Sequence, residues 1–334
     1  MYVVIVNYNN WQDSIECLSN LIKYYSESCS ILLVDNDSTN DSVANLTAYL
    51  KGEDISELSP FDFYAKTTKY NNPLSFQIID AEGFEILASS DDNRDDNGLP
   101  KILFFLSKVN LGFAGGNNIA LQYILNENKE SRISNESKVF LLNPDTVLAK
   151  GALQKLEEIN LSYFVAACQI KDYNNPEKEG HMGLCKLIKP IGKTVNTNHI
   201  SDADYIYGGA LLTNVATLRK NGLLPEKYFL YWEEVDWCHR AKQNNIPFVT
   251  CKEAVVYDKV GGSTGRGELA HYYYIRNGLF FYKLYYKRYF PILFLVNIGR
   301  VIFLLLSGKF AKANGAFLGI SDFLKCRLSH RQFN

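Results

Sequence analysis

The stretch Val139–Val147 constrains the fold more than any other part of this sequence. Its first half, Val139–Asn143, is a short apolar run without a helical period, which predicts a buried strand. Pro144 ends this strand because proline has no N–H group to donate to a sheet. Asp145 then lies at the carboxyl end of the strand, where open α/β sheets bind ligands. The alternative is that Asp145 only caps the helix predicted over residues 150–158.

The first fifty residues have the pattern of a β-α-β unit. The predicted strands are Tyr2–Val6 and Ile31–Val34, and the apolar residues of Trp11–Tyr25 recur at helical spacing. Both strands end in polar turns, Asn7–Asn9 and the run Asp35–Asp41, which opens another helix. Because the carboxyl ends of parallel strands meet at one edge of a sheet, these turns and the turn after the proline predict a nucleotide pocket.

Residues 51–100 differ in character, and we interpret them as an inserted surface segment. Ser75–Ile79 and Phe84–Leu87 are predicted to pair as a hairpin. The acidic run Asp91–Gly98 is interpreted as a solvated face rather than a calcium loop, because the spacing of EF-hand ligands is missing.

A glycine-rich segment, Asn110–Asn118, follows the sheet strand predicted within Lys101–Val109. Its glycines allow backbone N–H groups to approach a bound group, and the N-terminus of the helix predicted over Ile119–Glu127 favours an anion. A dinucleotide-binding loop is the alternative. However, the order Gly-x-x-Gly-Gly differs from Gly-x-Gly-x-x-Gly, and the segment does not follow the first strand.

Length, cysteines and histidines narrow the class of protein. The 334 residues can bury a large core and form one large domain or two. The seven cysteines are scattered without a Cys-x-x-Cys pair, which argues against a disulfide framework and against a zinc site. The five histidines form no cluster and are each interpreted as structural. The chain starts directly with a strand, without a basic leader, which predicts an intracellular protein.

The charge of the chain is divided between its two parts. Residues 271–334 contain ten Lys and Arg and one acid, for a net charge of +9, whereas the whole chain carries −1, so residues 1–270 carry −10. A basic, aromatic-rich tail favours an anionic membrane face as partner over nucleic acid.

The tail also contains the apolar run Pro291–Leu306, which Asn297 and Arg300 interrupt and which is short for a membrane span. This pattern predicts a helix that lies against a membrane surface through residues 285–306. The alternative is a helix packed on the rest of the chain or on a second subunit of a homodimer.

Several blocks in a fixed order resemble the family 2 inverting glycosyltransferases of the GT-A fold, particularly the bacterial rhamnosyltransferase-like branch. The blocks cover most of residues 1–280 and are VIVNYN (4–9), LLVDNDSTNDS (32–42), NLGFAGGNN (110–118), FLLNPDT (140–146), YGGALL (207–212), FLYWEEVDWCHRA (229–241), VVYDKVGGSTG (255–265) and YYYIRN (272–277). The resemblance implies an α/β nucleotide-diphospho-sugar transferase fold with a mostly parallel central sheet flanked by helices. A catalytic domain would span 1–270, with the insertion at about 51–100, and a helical C-terminal extension would span 271–334.

The resemblance implies a dTDP-, UDP- or GDP-sugar as donor and a glycan or lipid-linked glycan as acceptor. The loop Gly261–Gly267 would close over the diphosphate, and Arg276 or Lys259 would counter its charge. The alternative for Arg276 is an ordinary surface arginine. The implied donor-binding residues are Asn7, Asn9, Asp35, Asn110, Gly112, Gly115, Asn117, Asn143 and Arg276.

The resemblance also implies a divalent cation, Mg²⁺ or Mn²⁺, that offsets charge on the leaving diphosphate. Asp145 matches one acid of the family's Asp-x-Asp motif, which is Asn-Pro-Asp here, so the other acid is missing. Asp258 stands where the family commonly has a histidine, and it is the second implied ligand because carboxylate oxygens suit these hard cations.

The implied general base belongs to an acidic helix. The second acid of the family pattern Glu-Asp-x-Asp is the usual base, and Glu234 occupies that position, with Glu233 and Asp236 as alternatives. Helical spacing places Glu233 and Asp236 on one face and Glu234 elsewhere. The non-catalytic interpretation of Asp236 is an ion pair with Arg240, four residues further along the same helix. The neighbouring Trp232 and Trp237 either stack on acceptor sugars or belong to the core.

The sequence thus predicts a metal-assisted, inverting transferase that moves rhamnose or a similar hexose to a bacterial surface polysaccharide. It would be cytoplasmic and peripheral on the inner face of the plasma membrane. One alternative is an inactive nucleotide-sugar-binding homologue, because Asp258 and Glu234 depart from the family pattern. The other is a nucleotidyltransferase, which shares the sheet but has no need of the acidic helix.

Overall fold

The structure is a computed structural model that describes residues 1–25, 29–53, 55, 75–90, 102–259 and 267–327. Two predicted features, the acidic run Asp91–Gly98 and all but the last residue of the Gly261–Gly267 loop, lie outside the described residues.

The described residues form thirteen strands and nine α-helices. The strands are β1 (Tyr2–Asn7), β2 (Ser30–Asp35), β3 (Phe76–Asp80), β4 (Ile86–Ser89), β5 (Ile102–Leu106), β6 (Lys138–Leu142), β7 (Thr146–Leu148), β8 (Val165–Asp172), β9 (Leu184–Ile188), β10 (Lys193–Thr197), β11 (Tyr205–Ile206), β12 (Ala210–Asn214) and β13 (Phe248–Asp258). The helices are α1 (Trp11–Tyr25), α2 (Ser42–Lys51), α3 (Gly112–Lys129), α4 (Ala152–Glu157), α5 (Val215–Asn221), α6 (Glu233–Gln243), α7 (Glu268–Tyr285), α8 (Phe290–Leu306) and α9 (Phe310–Leu324).

Ten strands form one sheet in the order β4-β3-β5-β2-β1-β6-β12-β8-β13-β7. The run from β3 to β6 is parallel throughout, so the carboxyl ends of β5, β2, β1 and β6 meet at one edge. The strands β10-β9-β11 form a small antiparallel sheet. The predicted α/β class with a mostly parallel central sheet is confirmed.

Side chains of the parallel strands pack on both faces of the sheet. Val3 and Ile5 of β1 belong to the core beneath α1, α2 and α4, whereas Tyr2 and Val4 belong to the core shared with α3 and the C-terminal helices. Burial on both faces explains why these strands appear in the sequence as continuous apolar runs.

The segment interpreted as a surface insertion is partly built into the sheet. The predicted hairpin is confirmed, because β3 pairs antiparallel with β4. However, β3 also pairs in parallel with β5, and Phe76 and Ile79 are buried in the two cores. Residues 76–80 are therefore a strand of the main sheet, which corrects the interpretation of this part as surface.

The C-terminal helices pack on the domain and on one another. A Cβ atom at Gly315 of α9 would lie 2.1 Å from the carbonyl oxygen of Glu268, and one at Gly319 would lie 2.7 Å from that of Tyr272, so only glycine permits this close approach of α7 and α9. Because α7 begins at Glu268, the boundary predicted at residues 270 and 271 falls inside a helix whose buried face belongs to the core. Among the described helices, none is long and apolar enough to cross a membrane.

Candidate active site

A cavity of about 260 Å³ opens where β6 ends. Tyr207, Gly208 and Gly209 form part of its wall, and its acids come from the turn after β6, from α6 and from the end of β13. The charged and amide side chains that line it are Asn143, Asp145, His181, Glu233, Glu234 and Asp258.

The turn at Pro144 places Asp145 in this cavity. The Thr146 hydroxyl donates to the carbonyl oxygen of Asn143 at 2.7 Å, which closes the turn. The chain then enters β7, which pairs antiparallel with β13 and sets Thr146 opposite Asp258. The helix α4 has Gly151 at its N-cap and no side-chain cap, so the alternative that Asp145 caps this helix is wrong.

Asp258 is held by a buried tyrosine. The Tyr207 hydroxyl donates to Oδ2 of Asp258 at 2.7 Å, and burial raises the pKa of Tyr207, with the negative charge of Asp258 as a further cause. The tyrosine therefore stays a neutral donor and fixes the position of the carboxylate.

The donor atoms of the cavity suit a divalent cation shared with a phosphate. Within the described ranges, no group of three or more His, Cys, Asp or Glu is arranged to hold a metal by itself. Mg²⁺, however, is usually bound by one or two carboxylates together with water and substrate phosphate oxygens. Asp145, Asp258 and the amide of Asn143 supply oxygen donors of that kind in one cavity.

Glu233 and Glu234 enter the cavity from the N-terminus of α6. A backbone turn with positive φ at Phe229, Tyr231 and Trp232 precedes the helix and determines where it starts. Burial raises the pKa of Glu234 to about 7. Burial, and then the charge of Glu234, raise the pKa of Glu233 well above its usual range.

Asp236 lies on the same helix but outside the cavity. Its carboxylate accepts hydrogen bonds from Tyr228 at 2.7 Å and from Arg240 at 3.1 Å, and it forms an ion pair with Lys227 at 3.0 Å. The predicted ion pair with Arg240 is present, and Asp236 is corrected from candidate base to structural residue because these contacts hold it in the protein interior.

The two tryptophans beside these acids belong to the core. The indole N–H of Trp232 donates to the carbonyl of Tyr274 at 2.9 Å, and that of Trp237 donates to the carbonyl of Gly222 at 2.7 Å. Both side chains are buried, so stacking on an acceptor sugar is not their role.

The polar ends of β1 and β2 form a second cluster at the same edge of the sheet. The Asn7 amide donates to Oδ2 of Asp35 at 2.7 Å, and the Ser38 hydroxyl donates to the same oxygen. The Asn36 amide donates to Asn110 at 3.0 Å and to the carbonyl of Gly112 at 3.1 Å. The next residue, Phe113, lines the cavity, so this cluster continues towards it.

Three further predicted donor-binding residues, Asn9, Gly115 and Asn117, do not line the cavity. Asn9 is exposed with a φ of +56°, and its side-chain oxygen accepts from the N–H of Thr39 at 2.8 Å. Gly115 and Asn117 lie inside α3, and the Asn117 amide donates to the carbonyl of Phe113 at 2.8 Å.

The glycine-rich segment is therefore the start of a helix rather than a loop. A Cβ atom at Gly116 would lie 2.7 Å from Val6 of β1, so the glycine lets α3 pack closely on the sheet. Gly112 has a φ of +70°, and a Cβ atom there would lie 2.1 Å from the carbonyl oxygen of Phe229. Packing, rather than a free phosphate-binding loop, accounts for these two glycines.

The two cations expected at the diphosphate are placed differently. Arg276 is fully buried, donates to Asn277 at 2.9 Å and packs on the rings of Tyr272 and Tyr273. Arg276 also donates to the carbonyl of Tyr228 at 3.3 Å and so supports the turn before α6. Both predicted roles, a surface arginine and a phosphate ligand, need an accessible guanidinium and are therefore replaced by this structural role. Lys259 forms ion pairs with Asp13 and Glu16 of α1.

His181 lines the cavity, although from the sequence each histidine is interpreted as structural. Its strand-like backbone bridges to Ile170 of β8, and its ring packs edge-on against Tyr207 with 6.4 Å between ring centroids. Burial lowers the pKa of His181. No spacing pattern links this residue to the cavity acids, so its position follows only from the fold.

Proteins that are similar to this chain in sequence or in structure include glycosyltransferases. No family model matches the chain. A low-salt glycan biosynthesis hexosyltransferase, Agl10 of Haloferax volcanii, is 25% identical over 236 residues, which are 68% of this chain and 69% of the relative.

Two solved structures extend the comparison to the fold. The crystal structure of TarS of S. aureus in complex with UDP-GlcNAc is 14% identical with a TM-score of 0.50, covering 97% of this chain and 80% of that one. The structure of GalNAc-T7 with UDP, GalNAc and Mn²⁺ is 14% identical with a TM-score of 0.52, covering 86% of this chain and 49% of that one. The chain thus has the GT-A glycosyltransferase fold, and its sequence is similar to that of a hexosyltransferase of glycan biosynthesis.

Proposed function

We propose that this protein is an inverting glycosyltransferase that moves a hexosyl group, rhamnose or a similar sugar, from a nucleoside-diphosphate sugar to an acceptor hydroxyl of a surface glycan. One observation carries the proposal. The carboxylates of Asp145 and Asp258 and those of Glu233 and Glu234 line a single cavity, although they come from distant parts of the chain.

The first pair of acids is proposed to hold a divalent cation. Asp145 and Asp258 would bind Mg²⁺ or Mn²⁺ together with the diphosphate, and Tyr207 would keep Asp258 oriented. When bound, the cation offsets the negative charge that develops on the departing diphosphate. The Mn²⁺ in the GalNAc-T7 structure supports a cation of this class.

Glu234 is proposed as the general base. It takes the proton of the acceptor hydroxyl while the acceptor oxygen forms a bond to the anomeric carbon and the bond from that carbon to the diphosphate oxygen breaks. A single displacement of this kind inverts the anomeric configuration. A carboxylate with a pKa of about 7 is a stronger base than an ordinary glutamate and is still largely ionised slightly above neutrality.

The donor is proposed to lie along the polar strand ends. The cluster of Asn7, Asp35 and Asn110 would contact the nucleoside, and Asn143 would contact the diphosphate. UDP-sugars are the first donors to test because UDP-GlcNAc and UDP are bound in the two similar structures. The panel also includes dTDP- and GDP-sugars.

Calorimetry with this panel in Mg²⁺, followed by assays of donor hydrolysis and transfer, tests the proposal. Asp145→Asn is expected to lower transfer about a thousandfold with unchanged thermal unfolding, since a lost cation ligand affects the transition state. Asp202→Asn, which removes an exposed acid paired with Lys186, is the matched control and should retain wild-type transfer.

Each other outcome selects an alternative. Donor binding without turnover by the wild-type protein supports an inactive homologue. Formation of a nucleotide sugar from a nucleoside triphosphate and a sugar phosphate supports a nucleotidyltransferase. Full transfer by Asp145→Asn removes the metal-site assignment.

We also propose that the hairpin of α8 and α9 docks on an anionic membrane surface. Asn297 is buried, and Arg300 lies over the ring of Tyr274, so both polar interruptions of α8 face the protein. The opposite face is apolar and exposed, and the exposed large apolar side chains of the hairpin are Ile292, Leu295, Ile298, Ile302, Phe303, Leu305, Leu306, Phe310, Phe317 and Leu324. Such a face on a short helix suits the interface of a bilayer.

Charge favours lipid over a second copy of the chain. Lys287, Arg288, Lys309 and Lys325 are exposed at the two ends of this hairpin. The one carboxylate of residues 271–334, Asp322, is buried and accepts from the Tyr272 hydroxyl at 2.9 Å. A symmetric dimer through this face would bring two tails of like charge together, whereas anionic lipid neutralises them.

Co-sedimentation with vesicles tests this surface. The wild-type protein should bind vesicles that contain anionic lipid more tightly than neutral vesicles, because anionic lipid gives the membrane a negative surface potential. The pair Leu295→Glu and Phe303→Glu should abolish binding, and the control pair Leu161→Glu and Ile200→Glu, at exposed apolar positions elsewhere, should not. A concentration-dependent dimer that the first pair dissociates, without vesicle binding, would overturn the membrane assignment.

A further inference from the structure

His181 is fixed in the cavity wall by close backbone contacts. Its N–H donates to the carbonyl of Ile170 at 2.9 Å, and the N–H of Ile170 donates to its carbonyl at 2.7 Å. A Cβ atom at the preceding Gly180 would lie 2.1 Å from the Ile170 carbonyl oxygen, so the chain can approach β8 this closely only with glycine there. The imidazole is thus presented to the cavity by a backbone that has little freedom to move.

One hydrogen bond sets which ring nitrogen carries the proton. The backbone N–H of Gly183 donates to Nδ1 of His181 at 3.1 Å. An N–H group can donate only to a ring nitrogen with a lone pair, so the proton of the neutral ring is on Nε2. Nε2 is consequently a hydrogen-bond donor and, because it is protonated, not a metal ligand.

The residues around the imidazole indicate which kind of acceptor the Nε2–H group would have. Tyr207 packs against the imidazole and itself holds Asp258, which acts on the imidazole through its charge. Asp145, Glu233 and Glu234 line the same cavity. A phosphate group bound at a cation on Asp145 and Asp258 would bring an oxygen acceptor to this part of the wall.

We propose that His181 donates its Nε2–H to a phosphate oxygen of the leaving nucleoside diphosphate, an inference that rests on the proposed glycosyl transfer. As the bond between the anomeric carbon and the diphosphate oxygen breaks, the diphosphate gains negative charge. A hydrogen bond to it then strengthens, so the contact lowers the barrier more than it tightens donor binding.

Three substitutions separate the donor role from a structural one. The amide nitrogen of Gln lies near the position of Nε2 and that of Asn near Nδ1, so His181→Gln keeps a donor that His181→Asn and His181→Ala lack. We expect His181→Ala and His181→Asn to lower kcat by about 10- to 100-fold, as for one hydrogen bond to a charged group. KM for the donor should change less, and His181→Gln should restore most of kcat.

Two binding measurements complete the test. Calorimetry in Mg²⁺ should show weaker binding of UDP, or of the diphosphate of whichever nucleotide the wild type uses, to His181→Ala. Titration of Mn²⁺ alone, followed by electron paramagnetic resonance, should give the same affinity for wild type and His181→Ala and a lower one for Asp145→Asn.

The failures are distinguishable from failure of the proposed function. If wild type transfers no sugar, the transferase proposal fails. If wild type is active and His181→Ala keeps full kcat, or His181→Gln is as slow as His181→Ala in a folded protein, the donor role is wrong. Unchanged diphosphate affinity with a raised donor KM would instead place the contact on a sugar hydroxyl, and lost Mn²⁺ affinity would make His181 a metal ligand. Either result overturns the inference.

Discussion

The acids of α6 stand in two different environments within one turn of helix. Glu233 and Glu234 line the cavity, where burial raises the pKa of both, and one oxygen of Glu233 meets no hydrogen-bond donor within the described part of the chain. Asp236 is as buried as Glu233, yet Tyr228, Tyr285 and Arg240 all donate to it.

The contrast between these carboxylates shows that burial alone does not distinguish a functional residue from a structural one. A buried carboxylate whose hydrogen bonds are all made contributes to the rigidity of the fold. One that is left with unused acceptor capacity and a raised pKa is costly to stability, and such positions are typical of functional sites. We therefore expect substitution of Glu233 or Glu234 to affect activity and substitution of Asp236 to affect stability.

Glu234→Gln should have the largest effect. It removes the proposed base while keeping size and shape, so kcat should fall about a thousandfold, within the range for loss of general-base catalysis. Initial rates of nucleoside diphosphate release measure this loss, and circular dichroism should show an intact fold. A rate within tenfold of wild type would remove Glu234 from the chemistry and leave Glu233 as the candidate.

Asp236→Asn should affect stability instead. The substitution replaces the buried carboxylate that pairs with the partly exposed Lys227 and Arg240 by a neutral amide, and weakening its hydrogen bonds to a charged group costs about 2 to 3 kcal/mol. Urea denaturation should show a lower free energy of unfolding, and the protein that remains folded at low temperature should keep a near-native donor KM. Loss of kcat with unchanged stability would contradict the distinction between the two groups.

The sheet edge could be predicted from the sequence because its signals are local. A strand ended by Pro144 and polar residues after two other strands, at Asn7 and Asp35, are enough to place an edge in a parallel sheet. The exact start and end of α1, Trp11 and Tyr25, also followed from local apolar spacing.

The roles of individual polar residues could not be predicted in the same way, because they depend on contacts across the fold. Asp236 and Arg276 resemble site residues in the sequence, and only their tertiary hydrogen bonds identify them as structural. The opposite holds for His181, which resembles a structural residue in the sequence but lines the cavity in the fold. Its position depends on a backbone bridge to Ile170 that no local pattern indicates. The glycines after Asn110 were interpreted as a loop because close helix–sheet packing and phosphate binding favour the same residue.

Glu234→Gln should also stabilise the protein at alkaline pH. The pKa of Glu234 is raised from 4.5 to about 7 on folding, so the folded state holds a proton that the unfolded state has lost between these values. Stability therefore falls as pH rises through this window, and the deficit persists above it. Glutamine does not ionise, so the variant should exceed wild type by roughly 3 kcal/mol at pH 8 and by little at pH 4. Equal stability of the two at pH 8 would mean that the carboxylate is not strained in the fold.

The pH dependence of kcat/KM gives the smallest of these effects and the most direct test of the comparison. A base must be ionised to accept a proton, so the rate should fall about tenfold per pH unit below a midpoint near 7, which is the pKa of Glu234. A nucleoside-diphosphate sugar has no phosphate group that ionises in this range, because both of its phosphates are esterified, and burial lowers the pKa of His181 away from neutrality. Asp236→Asn should show the same fall in kcat/KM below a midpoint near 7, because the carboxylate of Asp236 is not in the cavity. The residual kcat/KM of Glu234→Gln should not fall in this range. A fall that persists in Glu234→Gln would transfer the titration to Glu233, whose raised pKa makes it the other acid able to respond at neutral pH.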